Sequence, residues 1–494
     1  MRTHRITALL LALVMAGSTL LSCGGTTETD ITSEPSAGAD TEPAGTEEET
    51  YPDNLLDALD FHGTEFGIYV PANGGQEVFY WGGAELSGDV VSDAAIQRNL
   101  AVEERLNVKL SHRLDADVDH NSISKKIGVY LQSGDASVDF FLGQQYGMVP
   151  MITEGGFVNA NELEHLDFSQ PWWSTGYMDE ISIGTDTRYF LAGDYILSTL
   201  FYTDALLFNK VIYENTFGPA DDLYQTVLEG AWTMDKLAEL TEAAYVDLNN
   251  NGMTDQDDRL GYVTYLNGAS VDPFMYLSDM DYSRHEADGT ISLHMTDELA
   301  VTLTEKVVGF FHQPGSLYKI ENIHKELFKE GKALFVGMQT LGAAGTFFRD
   351  MTDDYGFLPY PKLDESQKNY RCLVTDIVLL GAVSGASQNL DIAGAVLEAL
   401  GSETYRSVTP AWYETALKVK YSRDDISAQI IDIIHDAMTT DFIYACNASL
   451  SKIGVVMRTL VGNNSTDYIS AVAGLETAVS TQLAEIVEAY EKAN

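Results

Sequence analysis

Basic residues are scarce in this chain of 494 residues: 29 Lys and Arg stand against 74 Asp and Glu, a formal net charge of −45. A surface of that sign repels phosphate backbones at long range, which argues against nucleic acid as a partner and against a basic membrane-docking face. Cysteine is scarcer still. With only Cys23, Cys372 and Cys446, the chain has neither a disulfide framework nor a CxxC metal or redox pair. The last two are separated by 73 residues with no spacing rule to pair them, and they read as two buried free thiols. Catalytic signatures are lacking as well: no GxSxG elbow, HExxH helix, P-loop or GxGxxG fingerprint occurs. His285-Glu286 runs into Ala-Asp-Gly, without the second histidine of a zinc site. The chain therefore reads as a non-enzyme. Chance pairs among so many acids keep a glycan hydrolase open as an alternative.

What is present begins at the N-terminus. Arg2, His4 and Arg5 precede an apolar run from Ile6 to Met15, too short to span a bilayer, which reads as a secretory signal peptide over residues 1–22. Leu20-Leu21-Ser22-Cys23 resembles a bacterial lipobox, which implies lipidation of Cys23. Residues 24–50 hold eight acids, seven threonines and no basic residue, and cannot bury enough apolar surface to offset their ordering entropy. They read as a solvated spacer. Without Arg2, Arg5 and those eight acids the body keeps 27 basic and 66 acidic residues, a net charge of −39. No later stretch is long and uncharged enough to cross a membrane, so lipid would be the only anchor. The whole chain is 45% apolar and 21% charged, ordinary globular composition, and long enough for at least two domains.

From about residue 65 strand-like and helix-like segments alternate, the pattern of an α/β fold. Strands are expected at Phe66 to Val70, Glu77 to Tyr80, Val108 to Leu114 and Val138 to Leu142, the last a buried parallel strand leading into a Gly143–Gly147 loop. Further strand-like runs are Arg188 to Gly193, Leu334 to Met338 and Gly356 to Pro359. Tyr195 to Phe208 is a long apolar and aromatic run, after which Asn209 to Tyr213 starts a helix. Three-to-four spacing of apolar residues predicts helices at Ala94 to Leu106, Ser122 to Gln132, Thr233 to Ala244, Thr296 to Phe311, Leu390 to Leu400, Ile426 to Met438 and Leu475 to Tyr490.

Several stretches carry a likeness that periodicity does not give. Asn161 to Trp173 (NELEHLDFSQPWW), Phe208-Asn209-Lys210, Gly230 to Asp235 (GAWTMD), Phe328 to Phe335 (FKEGKALF) and Tyr355 to Lys362 (YGFLPYPK) together resemble extracellular solute-binding lipoproteins of bacterial ABC importers, of the carbohydrate type. The likeness covers most of residues 60–440. It implies a two-lobed periplasmic-binding-protein-like fold, type II-like, with central mixed or parallel sheets flanked by helices and an interlobe cleft. Lobe one would hold residues 61–195 and 377–432 and lobe two residues 196–376 and 433–494, after a lipidated cysteine and linker over 23–60. It further implies a monomer on the outer face of the cell membrane that hands an oligosaccharide to permease subunits. The alternatives are a cell-surface glycan-degrading enzyme and a non-transport glycan-binding or adhesion module.

Sugars are held by aromatic faces and by amides or carboxylates at strand-end loops. Residues of those types in such places are Trp81 and Glu85, the Gln144-Gln145-Tyr146 stretch, Asp194, Asp272 and Phe274, Gln339, Asp376, and Trp412 with Tyr413 between C-terminal helices. Glycines beside Trp81 and Tyr146 would let a ligand approach the backbone. Trp172, Trp173 and Trp232 read as packing residues.

One further motif is a calcium-type loop. Asp247, Asn249, Asn251, Met253 through its carbonyl, Asp255 and Asp258 fall at positions 1, 3, 5, 7, 9 and 12, with Gly252 at 6, an oxygen set that suits Ca2+ in a structural role. Asn at positions 3 and 5 lowers the ligand charge, and Asp258 stands where Glu is usual.

Overall fold

The computed structural model describes residues 53–72, 81–83, 85–184, 186–266, 270–320, 322–342, 347–348, 350–413 and 425–493. Cys23, the linker as far as residue 52 and the Glu77 to Tyr80 strand lie outside them; the end of the expected 23–60 linker already belongs to the body, because Arg105 holds the Asp53 carboxylate and Leu55 is buried.

Two sheets organise the body. In the first, β1 (Thr64–Pro71) lies between β2 (Val108–Asp115) and β3 (Phe140–Gln144), parallel to both, and β12 (Leu379–Val383) adds antiparallel to β3. Phe140 to Leu142 and Ile68 to Val70 are almost wholly buried, as expected for strands covered on both faces. The second sheet runs β10 (Tyr355–Leu358), β4 (Asp204–Asn209), β9 (Ala333–Thr340), β5 (Leu260–Val263), β8 (Ser316–Leu317). Its β4 pairs antiparallel with both neighbours, while β5 is parallel to β9 and β8.

Helices start where the side chains dictate. Asp89, Asn209, Thr233 and Asp297 each accept a backbone N–H of the first turn, fixing the starts of Val90–Leu106, Lys210–Thr216, Met234–Ala244 and Glu298–His312. Two short ribbons complete the set, β6 (Ser283–His285) with β7 (Ile291–Leu293), and β11 (Cys372–Leu373) with β13 (Met438–Thr439).

Two stretches of chain pass between the sheets and lie side by side. One leaves β12's neighbourhood at Leu191, which bridges Gly381, and enters β4; the other runs from β11 to β12. Thr203 bridges Val374, and Thr375 donates its N–H to Tyr202 O at 3.1 Å. Gly193 opens the first passage at φ +151°, where a Cβ would stand 2.3 Å from Trp172 O. The helix Asp425–Asp436 packs on β10 and on the helix Ala220–Leu228, beside the second sheet.

Several expectations change. Arg188 to Gly193 forms bridges and no strand, because its partners Trp173 and Gly381 lie on different elements. The Tyr195 to Phe208 run divides into a short helix, Ser198–Phe201, and β4. Gly143 and Gln144 belong to β3 itself, and a helix, Gln145–Met148, starts at once, so there is no loop there. The Ile426 to Met438 helix stops at Asp436, and Met438 opens β13. Cys372 and Cys446 are free and buried, and Trp172, Trp173 and Trp232 are packed inside.

Candidate functional site

The carboxyl end of β3 and the second passage meet. Gln145 N donates to Val378 O and Tyr146 N to Asp376 O, both at 2.9 Å, which sets Gln144 and Tyr146 beside Asp376. Beneath them Gln145 is fully buried, its Oε1 accepting from Tyr177 Oη at 2.6 Å. Gln144, Tyr146 and Asp376 remain half-buried, and Tyr146 packs edge-on against His120 with ring centroids 5.6 Å apart. Asp376 N in turn donates to Tyr444 Oη at 3.1 Å.

Tyr444 leads to an ion pair. Arg458 binds Asp272 with both branches, Nε to Oδ1 at 2.7 Å and Nη2 to Oδ2. Burial pushes the Asp272 carboxyl up to about 6 in spite of that pair. Burial also opposes the Arg458 charge, but the hydrogen bonds and field of Asp272 outweigh it and hold the guanidinium charged. Asp376 is raised by burial, with Arg458 pulling the other way. Asp204, at the head of β4, is raised far above the usual carboxylate range, first by burial and then by Asp272 and Asp376. The arrangement offers one charged donor group, several acceptors and an aromatic ring, with no nucleophile–base pair assembled.

The structure brings together Gln144, Gln145, Tyr146, Asp272 and Asp376. The other candidates fall elsewhere. Trp81 is 1% exposed under the Arg98 guanidinium, 5.4 Å from its ring centroid. Glu85 is exposed. Phe274 is buried among Tyr262, Phe310, Phe311 and Tyr360. Gln339 lies inside β9 instead of after it; it pairs with Ala205, so it points to the opposite face from Asp204, and donates to Gly337 O. Trp412 ends the helix Thr409–Trp412 and is buried, with Tyr413 beside it, so neither stands in a loop. Asp194 lines a separate chamber with His435. The glycines beside Trp81 and Tyr146 serve packing: a Cβ on Gly82 would meet the Ile96 side chain at 2.8 Å, and one on Gly147 His120 O at 2.8 Å.

Arg458, Tyr444 and Asp204 escaped the sequence reading. Arg458 and Asp204 share a signal, a lone charge inside an apolar run (Val455 to Val461, and Tyr195 to Phe208).

A groove of about 610 Å³ lies between β7 and the C-terminal helix Glu476–Ala493, but its floor is aliphatic and unsuited to a polyhydroxylated molecule. The Asp247–Asp258 loop is closed on itself: Asp247 accepts from Asn251 N and Gly252 N, and buried Asp258 from Leu248 N, Asp255 N and Tyr245 Oη. Asn249 and Asn251 turn their amide N–H groups toward Asp255. Among the described residues no three Asp, Glu, His or Cys side chains converge as a metal shell, and no helix is long and apolar enough to cross a membrane.

No protein-family model matches the chain, and no curated protein matches it. Solved structures do. An ABC-transporter solute-binding protein from Thermotoga lettingae, bound with α-D-tagatose, matches at TM-score 0.54 and 14% identity, over 86% of this chain and all of that one. An ABC substrate-binding protein from Listeria monocytogenes in complex with cycloalternan matches at 0.55 and 11%, over 85% and 99%. A cyclo/maltodextrin-binding protein complexed with maltotetraose matches at 0.55 and 12%, over 87% and 97%. The fold is thus the α/β fold of periplasmic-type solute-binding proteins, with two sheets as the cores of two lobes.

Proposed function

We propose that this chain is the extracellular solute receptor of an ABC importer and that it captures an oligosaccharide where Tyr146, Asp376 and the Asp272–Arg458 pair meet. The carrying observation is that a fold shared along most of the chain with proteins bound to tagatose, cycloalternan and maltotetraose coincides with a polar, aromatic-edged cluster at strand ends. A sugar held by groups from both sheets would favour a closed arrangement, which a permease reads, and no bond need be made or broken.

The reading is tested by thermal shift and calorimetry of the purified chain with maltotetraose, cycloalternan and tagatose, with and without Ca2+. A sugar at a hundred times its Kd should add about 2.7 kcal/mol of stability. Calcium at the Asp247–Asp258 loop is proposed as a structural addition, which requires the Asn249 and Asn251 amides to turn their oxygens inward; it should raise the melting temperature without changing sugar affinity. Silence to every glycan, or release of products from one, would overturn the receptor reading.

The proposal includes a lipid anchor at Cys23, with residues 24–50 as spacer. Cys23→Ser should move the protein from the membrane fraction to the medium; retention of the variant in the membrane would refute the anchor.

A further inference from the structure

Where the helix Thr175–Glu180 faces β11, β13 and Asp279–Asp281, acidic side chains gather without matching counter-charge. Two adjoining chambers there, of about 290 Å³ and about 350 Å³, share Gly176, Tyr177 and Met438 as a common wall. Asp194 lines the smaller; Glu180, Asp279, Asp281 and Asp436 line the larger. The basic side chains in the walls are Arg371 and His435. Arg371 is already engaged, with Nη1 3.3 Å from Asp281 and Nη2 donating to Thr439 Oγ1 at 3.0 Å. His285 Nε2 stands 3.8 Å from Glu180. Burial, then the fields of Asp441 and Asp281, push the Glu180 carboxyl up to about 7, and burial pushes Asp194 to about 6 against the pull of His435.

Three observations narrow the occupant. Thr199 in the smaller chamber is 2% exposed and its Oγ1 has no hydrogen-bond partner. The carboxylates are spread along both chambers and nowhere converge in threes among the described residues, which suits separated positive charges better than one metal ion. Between them the wall is apolar and aromatic, with Trp173, Tyr177 and Met438 in the smaller chamber and Tyr370 in the larger, surfaces that take methylenes and ammonium groups alike.

We infer that the two chambers form a binding site for a linear organic polyamine, with ammonium groups at Glu180–Asp281 and at Asp194 and methylenes along Tyr177 and Met438. None of Tyr146, Asp376, Asp272 and Arg458 lines it; its wall residue Tyr177 touches the solute cluster only from behind, through the buried Gln145, so the polyamine site is a distinct cavity that adjoins the solute site and is tested without any sugar present.

The test is calorimetry of the full chain with putrescine and spermidine at about pH 8, at matched ionic strength, where the carboxyls are ionised. Spermidine should bind with one defined stoichiometry. Glu180→Gln and Asp194→Asn should each weaken it about tenfold or more, as loss of a desolvated charge partner does. Each variant removes a carboxylate that burial disfavours in its charged form, and Glu180 is held against the fields of Asp441 and Asp281 as well, so neither should melt below the parent. Glu104→Gln, on an exposed surface, should leave binding unchanged. If either chamber variant fails to fold, Asp281→Asn, on the more exposed side, carries the same expectation. No binding, equal binding in chamber variants and parent, or reproduction of the effect by Mg2+ at equal concentration would each overturn the proposal.

Discussion

An Arg458→Met variant should be less stable than the parent by roughly 3–5 kcal/mol near neutral pH, the usual cost when a buried ion pair loses one partner. The loss should shrink on acidification. Asp272 is 1% exposed, and both its oxygens are committed to the guanidinium. With Arg458 gone, the main opposition to the burial that already holds that carboxyl at about 6 is lost, leaving a weaker hydrogen bond from Tyr444 against burial and the field of Asp376. It can be accommodated only as the neutral acid, and taking up that proton is easier at about pH 5 than at about pH 8. The double variant Arg458→Met, Asp272→Asn should recover part of the loss near neutrality, because no charge is left stranded. Urea denaturation at the two pH values decides it. A loss of the same size at both, unrelieved by the second substitution, would mean that Arg458 acts through packing alone. Sugar binding should disappear in the single variant whatever the pH, since Arg458 is the charged donor of the cluster and also the cation that partly offsets Asp376.

The strands of the first sheet were readable because a parallel strand covered on both faces is written as an unbroken apolar run, as in Phe140 to Leu142. Helix starts were readable where a capping side chain adjoined the apolar period, as at Thr233 and Asn209. The site was legible in part. Gln144 to Tyr146 could be placed because strand ends are where α/β folds put ligands. Arg458 could not, because its partner Asp272 is 186 residues away and no local pattern encodes a meeting of that separation. Aromatic candidates fared worst. Trp81 and Phe274 have ring type and flanking turns that suit a sugar platform, yet a cation over one and four Phe and Tyr rings around the other claim them for the core. Gln339 was misplaced for another reason: β9 runs on past Met338, whose φ of +58° marks the irregularity that shifts its register against β4.

Stability itself should fall as pH rises from about 5 to about 8, the opposite of what salt-bridged surface carboxylates produce. Glu398 is pushed up to about 7, chiefly by burial, although Trp173 Nε1 donates to it at 2.9 Å and Asp167 N at 3.2 Å. Glu180 reaches about 7 and Asp194 and Asp272 about 6, while Asp204, Asp376 and Asp441 are raised by burial as well. In the unfolded chain these groups return to ordinary carboxylate values near 4. Between the two sets of values the folded state therefore binds more protons than the unfolded state. The stability these groups contribute is present in full below about pH 4 and is lost as pH climbs through 6 and 7. Carboxyls shifted the other way do not cancel this: Asp53 and Asp167, the latter held down to about 2 by bonds from Ser169 and Gln170, add stability above about pH 4 that persists through the whole window. Self-repulsion across a chain of net charge −45 works in the same direction as the buried acids. Thermal melts from about pH 5 to about pH 8 should show a falling melting temperature, and Glu398→Gln, which keeps an oxygen for Trp173 but cannot ionise, should flatten the fall. A melting temperature that rises over the same interval would show that these carboxyls are solvated in the folded state, and with that the buried acid network linking Asp204, Asp272 and Asp376 would have to be redrawn.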